Sequence, residues 1–328
     1  MLKRLIGGLI CGALVLAVGA CGYPTVPRSN ATTGRLAVEG SAAMAAFNLR
    51  AVRTFREQTG VTDTPLTLGS NSAAIEKFCK GEIDIAAVSR EINQTTEAPL
   101  CRKNGITPQR ILVAHEAAVV IANKALAIGC LTTSQLRQLW RKGSKITSYD
   151  QLAGGLPAAK VSLFGPTTSS DVFDLFTAAI NRQSGNSRSD YRRFRYQQAP
   201  AFAAAIAADK SALGYYDYAA AADQLASNSV VGVDGGDGCI EPSLATIQNG
   251  SYSPLSRPLY YYFDLRQAAS DTEKISDSAV ARFIEVTLAN AAMFAKANSL
   301  VPVTPDQITR ERVRWLRETA RYKQITGG

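Results

Sequence analysis

Hydrophobic positions along the chain switch repeatedly between strand-like runs and helical spacing. Arg35 to Val38 reads as a short strand, Gly40-Ser41-Ala42 as a turn, and Met44, Phe47, Ala51 and Phe55 as one helix face ending near Gly60. The pattern then repeats. Leu66-Thr67-Leu68 predicts a strand, Gly69-Ser70-Asn71-Ser72 a capping turn, and Ala73 to Cys79 a short helix. Ile83 to Val88 is a buried-strand pattern that ends at Ser89-Arg90. A third unit runs from Val161-Ser162-Leu163-Phe164 through Thr167, Thr168, Ser169, Ser170 and Asp171 into a helix marked by Val172, Phe173, Leu175, Phe176 and Ile180. Two apolar runs, Ile111 to Ala122 and Leu259 to Leu265, are long enough to pass between two halves of a molecule.

The remaining pattern fits the same architecture. Leu131 to Trp140 and the Ala-rich Pro200 to Lys210 predict helices, and Leu213 to Tyr216 and Val230 to Gly238 predict strands, the latter ending in a Gly-Asp turn. Asn181 to Gln198 is polar and rich in arginine. Ser278 to Ala297 predicts an apolar helix and Pro305 to Tyr322 a basic one, with Trp140 and Trp315 in helical patterns as core residues. Strands alternating with helices argue an α/β fold with a mainly parallel or mixed sheet. Ligands of such sheets bind beyond the strand C-termini, where helices begin. A helix start presents N–H groups without intrahelical partners and a partial positive charge, so hydroxyl turns there either cap the helix or hold an anion.

The first twenty residues stand apart. Lys3 and Arg4 precede an apolar run to Ala20, too short for a typical membrane span, and the sequence Val18-Gly19-Ala20-Cys21 follows the break expected of a cleaved export signal. That ending resembles a bacterial lipobox, which implies cleavage before Cys21 and lipid on its sulfur. The organisation expected is a leader at 1–20, a tether at 21–34, a first lobe from 35–114 plus 263–328, and a second lobe at 115–262.

Export permits disulfides. With Cys11 in the leader and Cys21 at the lipid site, Cys79, Cys101, Cys130 and Cys239 remain, and four cysteines allow three pairings. Cys79–Cys101 with Cys130–Cys239 is preferred, because the first pair closes a short loop within one lobe. The 328-residue chain carries a net charge of +9, and loss of Lys3 and Arg4 lowers it by two to +7. This balance suits an anionic ligand or a membrane surface. Nucleic acid is not indicated, since no recognition motif is present. Zinc is not indicated either: there is no CxxC and His115 is the sole histidine. Nor is catalysis. No GxSxG motif accompanies His115, His115-Glu116 lacks the second histidine of a zincin helix, and Asp234 to Gly238 reads as a tight turn. No cofactor is implied.

The order and spacing of VEGSAAM, FCKGEIDIAAVSREI, GCLTTSQLRQLWRKGSKIT, FGPTTSSDVFDLFTAAI, SRSDY, ALGYYDYA, GCIEPSLATIQNGSYSPLSRPLYYY and a late VPV carry a resemblance from about Leu36 to Pro302. The chain resembles the phosphate-binding proteins of bacterial phosphate ABC transporters, the PstS-like solute-binding proteins. The resemblance implies a two-lobed periplasmic-binding-protein fold (Venus flytrap, type II) that closes on one phosphate or similar oxyanion, with an ABC permease as partner. Carried over motif by motif, it nominates Ser41, Ala42 through its backbone, Ser70, Asn71, Ser72, Ser89, Thr168, Ser169, Ser170 and Asp171. It also nominates Arg90 and Arg188, whose guanidinium groups would offer bidentate bonds to an anion or support the site. The sequence departs from the family at His115-Glu116, where the family has a Tyr-Asp-like pair, and in three further places. Ala42-Ala43 stand where the family carries hydroxyls, Asp171-Val172 where it reads Gly-Thr, and Arg192 to Gln198 (RRFRYQQ) where it is acidic and polar.

Overall fold

A computed structural model describes residues 34–269 and 278–326. The expected leader, lipidation site Cys21 and most of the tether lie outside them. In chain order the elements are β1 (Val38–Gly40), α1 (Ala45–Thr59), β2 (Leu66–Leu68), α2 (Asn71–Lys80), β3 (Ile85–Val88), α3 (Ala98–Lys103) and β4 (Pro108–Ala122). Then follow β5 (Cys130–Thr132), α4 (Thr133–Trp140), β6 (Ser162–Pro166), α5 (Asp171–Asn181), β7 (Arg192–Phe194), α6 (Ala199–Ala208), β8 (Ala212–Asp217) and α7 (Tyr218–Ala221). The chain ends with β9 (Ser229–Asp234), β10 (Cys239–Ile240), α8 (Leu244–Gln248), β11 (Ser256–Asp264), α9 (Leu265–Ala269), α10 (Ala279–Ala297), β12 (Val301–Pro302) and α11 (Pro305–Thr326).

The main path of the sheet runs β2-β1-β3-β11-β4-β8-β6-β7. Strands β1, β2 and β3 are mutually parallel, as are β6, β7 and β8, while β11 and β4 run antiparallel to their neighbours. Strand β4 joins the two halves. From Pro108 to Ala117 it pairs with β11, and from Ala118 to Ala122 with β8 and β9.

Two lobes follow from where the apolar side chains go. In the first, successive residues of each strand serve opposite faces. Ile85, Ala87, Tyr261 and Phe263 pack with α1 and α10, whereas Ala86, Val88, Tyr260 and Tyr262 pack with α2 and α3. Burial on both faces is why these strands read as unbroken apolar runs rather than alternating ones. The second lobe has its own core around Trp140, Phe176, Phe202 and Tyr215, with Phe176 and Tyr215 stacked at 3.7 Å between ring centroids. On the return strand the core changes between Leu255 and Leu259. Residues Leu259 to Tyr262, assigned to the second lobe by the sequence reading, therefore pack in the first. An apolar run buried on both faces carries no mark of which lobe it enters.

The structure pairs Cys79 with Cys101 and Cys130 with Cys239, at sequence separations of 22 and 109. In the chain-entropy picture such cross-links contribute roughly 3–5 kcal/mol each. The first ties α2 to α3, the second ties β5 to β10. The polar, arginine-rich stretch conceals β7, an edge strand whose Arg192 and Arg193 are exposed and lie over the rings of Phe194 and Tyr191. Charged side chains are common on sheet edges, where they hinder pairing with another chain.

Candidate functional site

A cleft of about 560 Å³ lies between the lobes. Its first-lobe wall is built where β1 ends. The Ser41 N–H donates to Ala87 O at 3.0 Å, and the Met44 N–H closes a tight turn onto Ser41 O at 2.9 Å. That turn, Ala42 to Met44, leads straight into α1. The N–H groups of Ala42 and Ala43 therefore sit at a helix start with no helical carbonyl behind them, and both residues line the cleft. The other wall is built where β6 ends. The Thr167 N–H donates to Phe194 O at 3.0 Å, the Ser170 N–H to Thr167 O at 3.2 Å, and the Ser170 hydroxyl accepts from the Phe173 N–H to cap α5. Thr167, Ser169, Ser170, Asp171 and Val172 line the cleft. Two helix starts from different lobes thus face one space, and each places partial positive charge there.

Beyond the two helix starts, the charged lining is Glu116, Asp217 and Arg195, beside the neutral Tyr196, Gln197, Asn298 and Ser299. Glu116 comes from β4 where the chain crosses between lobes. Its carboxylate is buried and pairs with Arg257 of β11 at 2.7 Å. Burial pushes the Glu116 carboxyl above the usual range against the pull of Arg257, and the nearby charges of Asp171 and Asp174 add to the rise. Asp217, at the end of β8, accepts from the Ala220 N–H at 2.8 Å and caps α7. Burial, reinforced by Glu116 and Asp171, pushes it up to about 8, so at neutral pH it carries a proton and can donate. Asp171 is raised by partial burial in the cleft, with Arg257 opposing and Asp174 assisting. Arg195 lies at the lip. Its backbone is held by Gln198 and Tyr216, and its side chain has no ion pair among the described residues.

The nominated residues divide. Ala42, Ser169, Ser170 and Asp171 line the cleft, while Ser41, Ser70, Asn71, Ser72, Ser89, Arg90, Thr168 and Arg188 are not part of its lining. Ser41, Ser70 and Ser89 do follow the C-terminal ends of the neighbouring strands β1, β2 and β3, so the topology brings them to one sheet edge. The side chains of Ser70 and Ser89 serve that edge, whereas the Ser41 hydroxyl is buried with no hydrogen-bond partner among the described residues. Ser70 caps α2 by accepting from the Ala73 N–H at 3.1 Å. Asn71 accepts from the Ser89 N–H at 2.9 Å and donates to its hydroxyl at 3.0 Å. Arg90 binds Glu97 through two nitrogens at 2.6 and 2.8 Å and donates to the Ser72 hydroxyl at 3.0 Å.

Arg188, expected to pair with the anion or to support the site, lies outside this lining. It is buried, forks onto Asp190 at 2.6 and 2.7 Å, and donates to Leu139 O and Ile146 O at 3.1 and 3.2 Å. It pins its own loop to the end of α4. Among the charged residues of the lining, those not nominated from the sequence are Glu116, Asp217 and Arg195, while Thr167 belongs to the third hydroxyl turn without having been nominated. Arg195 lay in the arginine-rich segment that departs from the family, and that departure was the available signal. Glu116 was marked only as part of the His115-Glu116 pair that departs from the family, and nothing in the local pattern marked Asp217; both come near Asp171 only through the fold. Among the described residues no group of three or more His, Cys, Asp or Glu could hold a metal ion, and no helix is long and apolar enough to cross a membrane.

Comparison with known proteins places this architecture. Residues 25–290 match the family model for the PBP superfamily domain. Protein SphX of Synechocystis sp. is 28% identical over 306 residues, covering 92% of this chain and 87% of that protein. The phosphate-binding protein PstS of Staphylococcus aureus is 24% identical over 277 residues, covering 84% and 81%. Among solved structures, a possible phosphate binding protein from Planctomyces limnophilus superposes with a TM-score of 0.76 at 28% identity, covering 87% of this chain and 98% of that one. The fold is the two-lobed periplasmic-binding-protein fold, and the chain belongs to the PBP superfamily, with similarity to proteins named PstS phosphate-binding protein.

Proposed function

We propose that the cleft binds inorganic phosphate or a related oxyanion for ABC-type uptake or sensing at the extracytoplasmic face, from a chain anchored by lipid on Cys21. The observation that carries this reading is the convergence of the α1 and α5 starts, from different lobes, on one cleft with the unpaired Arg195 at its lip. N–H groups of Ala42, Ala43, Asp171 and Val172, the hydroxyls of Thr167 and Ser169, the Arg195 guanidinium and a protonated Asp217 supply donors from both sides. Asp171 supplies an acceptor, which suits an oxyanion that still carries a proton. Relatives named as phosphate-binding proteins support the ligand class, and an ABC permease is the partner that class implies. Lys3, Arg4 and the Val18-Gly19-Ala20-Cys21 ending support export and lipid attachment.

The test is calorimetric titration of the mature chain with phosphate after phosphate has been scavenged from it. Micromolar or tighter binding is expected. No heat and no thermal shift at millimolar phosphate would refute it. One observation favours a second reading. Asp171 puts a carboxylate at the α5 start, where its own charge answers the helix dipole that an anion would use. On that reading the fold persists with a lost or changed ligand and acts in signalling or envelope assembly. A silent titration that stays silent with sulfate and other oxyanions, together with phosphate affinity appearing on Asp171→Gly/Val172→Thr, selects it.

A further inference from the structure

The outer side of α11 has a chemistry the cleft does not use. Glu311, Trp315 and Thr319 are buried on its inner side. Arg310, Val313, Leu316, Arg317, Ala320 and Arg321 are exposed on the other. Arg312 and Arg314 are paired with Glu285 and Glu311, whereas Arg310, Arg317 and Arg321 have no ion pair among the described residues. Asp306 lies at the opposite end of the helix and Glu318 sits partly buried at the flank. Positive charge therefore lies along this face from Arg310 to Arg321, with the exposed apolar side chains of Val313, Leu316 and Ala320 between the arginines.

The C-terminal end of this helix is also where the described chain begins. Gly34 lies beside Ala279 at the start of α10, and Arg35 shares a surface hollow with Arg266 and Gln267 of α9. Helix α9 packs on α11, whose Tyr322 lies within electrostatic reach of Arg266. Residues 22–33 span at most about 40 Å when extended, so a lipid on Cys21 would keep this end of the first lobe close to the bilayer.

We propose that the Arg310–Val313–Arg317–Arg321 face of α11 rests on anionic lipid headgroups of the membrane that holds the tether, an inference that rests on the lipid-anchor reading of Cys21. Each basic side chain near an anionic bilayer strengthens association by roughly fivefold, and the interleaved Val313 and Leu316 add apolar contact at the interface. The lipid supplies attachment, and α11 sets which side of the first lobe faces the membrane.

The test uses the mature chain from Gly22, which contains every described element and no lipid. It is sedimented with vesicles of phosphatidylcholine alone or of phosphatidylcholine mixed with phosphatidylglycerol. Binding to the mixed vesicles alone, weakened by salt, is expected. Arg317→Glu/Arg321→Glu should reduce it by about 25-fold or more, in line with two lost cations at about fivefold each, with an unchanged melting temperature and an unchanged phosphate titration. Lys142→Glu/Lys145→Glu, on the second lobe, should leave it intact. No binding to anionic vesicles, equal binding to neutral ones, or equal loss from both double variants overturns the proposal. Palmitate labelling of the full chain against Cys21→Ser tests the anchor by itself, so the two readings fail independently.

Discussion

The α2 turn in the first lobe and the α5 turn in the second are built to one local plan. Each follows a parallel strand, each caps a helix with a serine, and each offers further hydroxyl or amide groups. Their fates differ. At α2, Asn71 is joined to Ser89 and Ser72 to Arg90, which is held in turn by Glu97, so the turn's polar groups answer one another. At α5 only the Ser170 cap is used internally, and Thr167, Ser169 and Asp171 open onto the cleft. A capping turn has groups to offer a ligand when its surroundings leave donors unanswered. The same contrast separates the arginines: Arg90 and Arg188 are locked within their lobes, while Arg195 faces the space between them.

Substitutions can break this contrast. The largest effect is expected at Arg188. Arg188→Ala leaves a buried and a half-buried carbonyl without this donor and should cost about 3 kcal/mol of stability, read from chemical denaturation, with phosphate affinity of the folded protein unchanged. Arg195→Ala should do the reverse. Loss of one charge-assisted contact weakens phosphate binding by about ten- to a hundredfold in titration calorimetry, with the denaturation midpoint unmoved. If Arg188→Ala and not Arg195→Ala weakens binding in the folded protein, the division of the arginines is inverted.

The pH dependence sharpens the contrast further. The Asp217 carboxyl is pushed up to about 8 in the folded chain from an unfolded value of 3.8. Between those values the folded state holds the extra proton, so the contribution of Asp217 to stability declines as pH rises from about 4 to about 8. Melting temperature should fall by several degrees across that window, and Asp217→Asn should flatten the slope. Phosphate affinity should also fall above about pH 8, as the donor becomes a charge. A smaller effect is expected at α2: Asn71→Ala should cost about 1–2 kcal/mol of stability and leave phosphate affinity unchanged. The smallest is at Asp171, where Asp171→Asn should raise phosphate affinity a fewfold by removing a like charge at the helix start.

Much of the architecture was legible because it is written locally. Helical spacing of Met44, Phe47, Ala51 and Phe55 marks α1, and the two long apolar runs correspond to β4 and β11. The hydroxyl turns mark the starts of α2 and α5, because a serine cap needs only its own helix. Strand β7 escaped notice because Arg192-Arg193-Phe194 is a sheet edge, whose exposed charges resemble a loop. The lobe of Leu259 to Tyr262 escaped because residues buried on both faces show no side preference.

Sequence alone determined the alternation of strands and helices, the capped helix starts, the leader pattern and the family motifs, since each depends on residues a few positions apart. Only the tertiary structure decided which of those groups meet. It answered Asn71 with Ser89 and Arg188 with Asp190. It left Arg195 unpaired and raised Asp217 by setting it near Glu116 and Asp171, residues that are distant in the chain. Hydrogen-bond partners and desolvation depend on what the fold brings near, and that proximity is set by packing across the whole chain rather than by any one stretch of it.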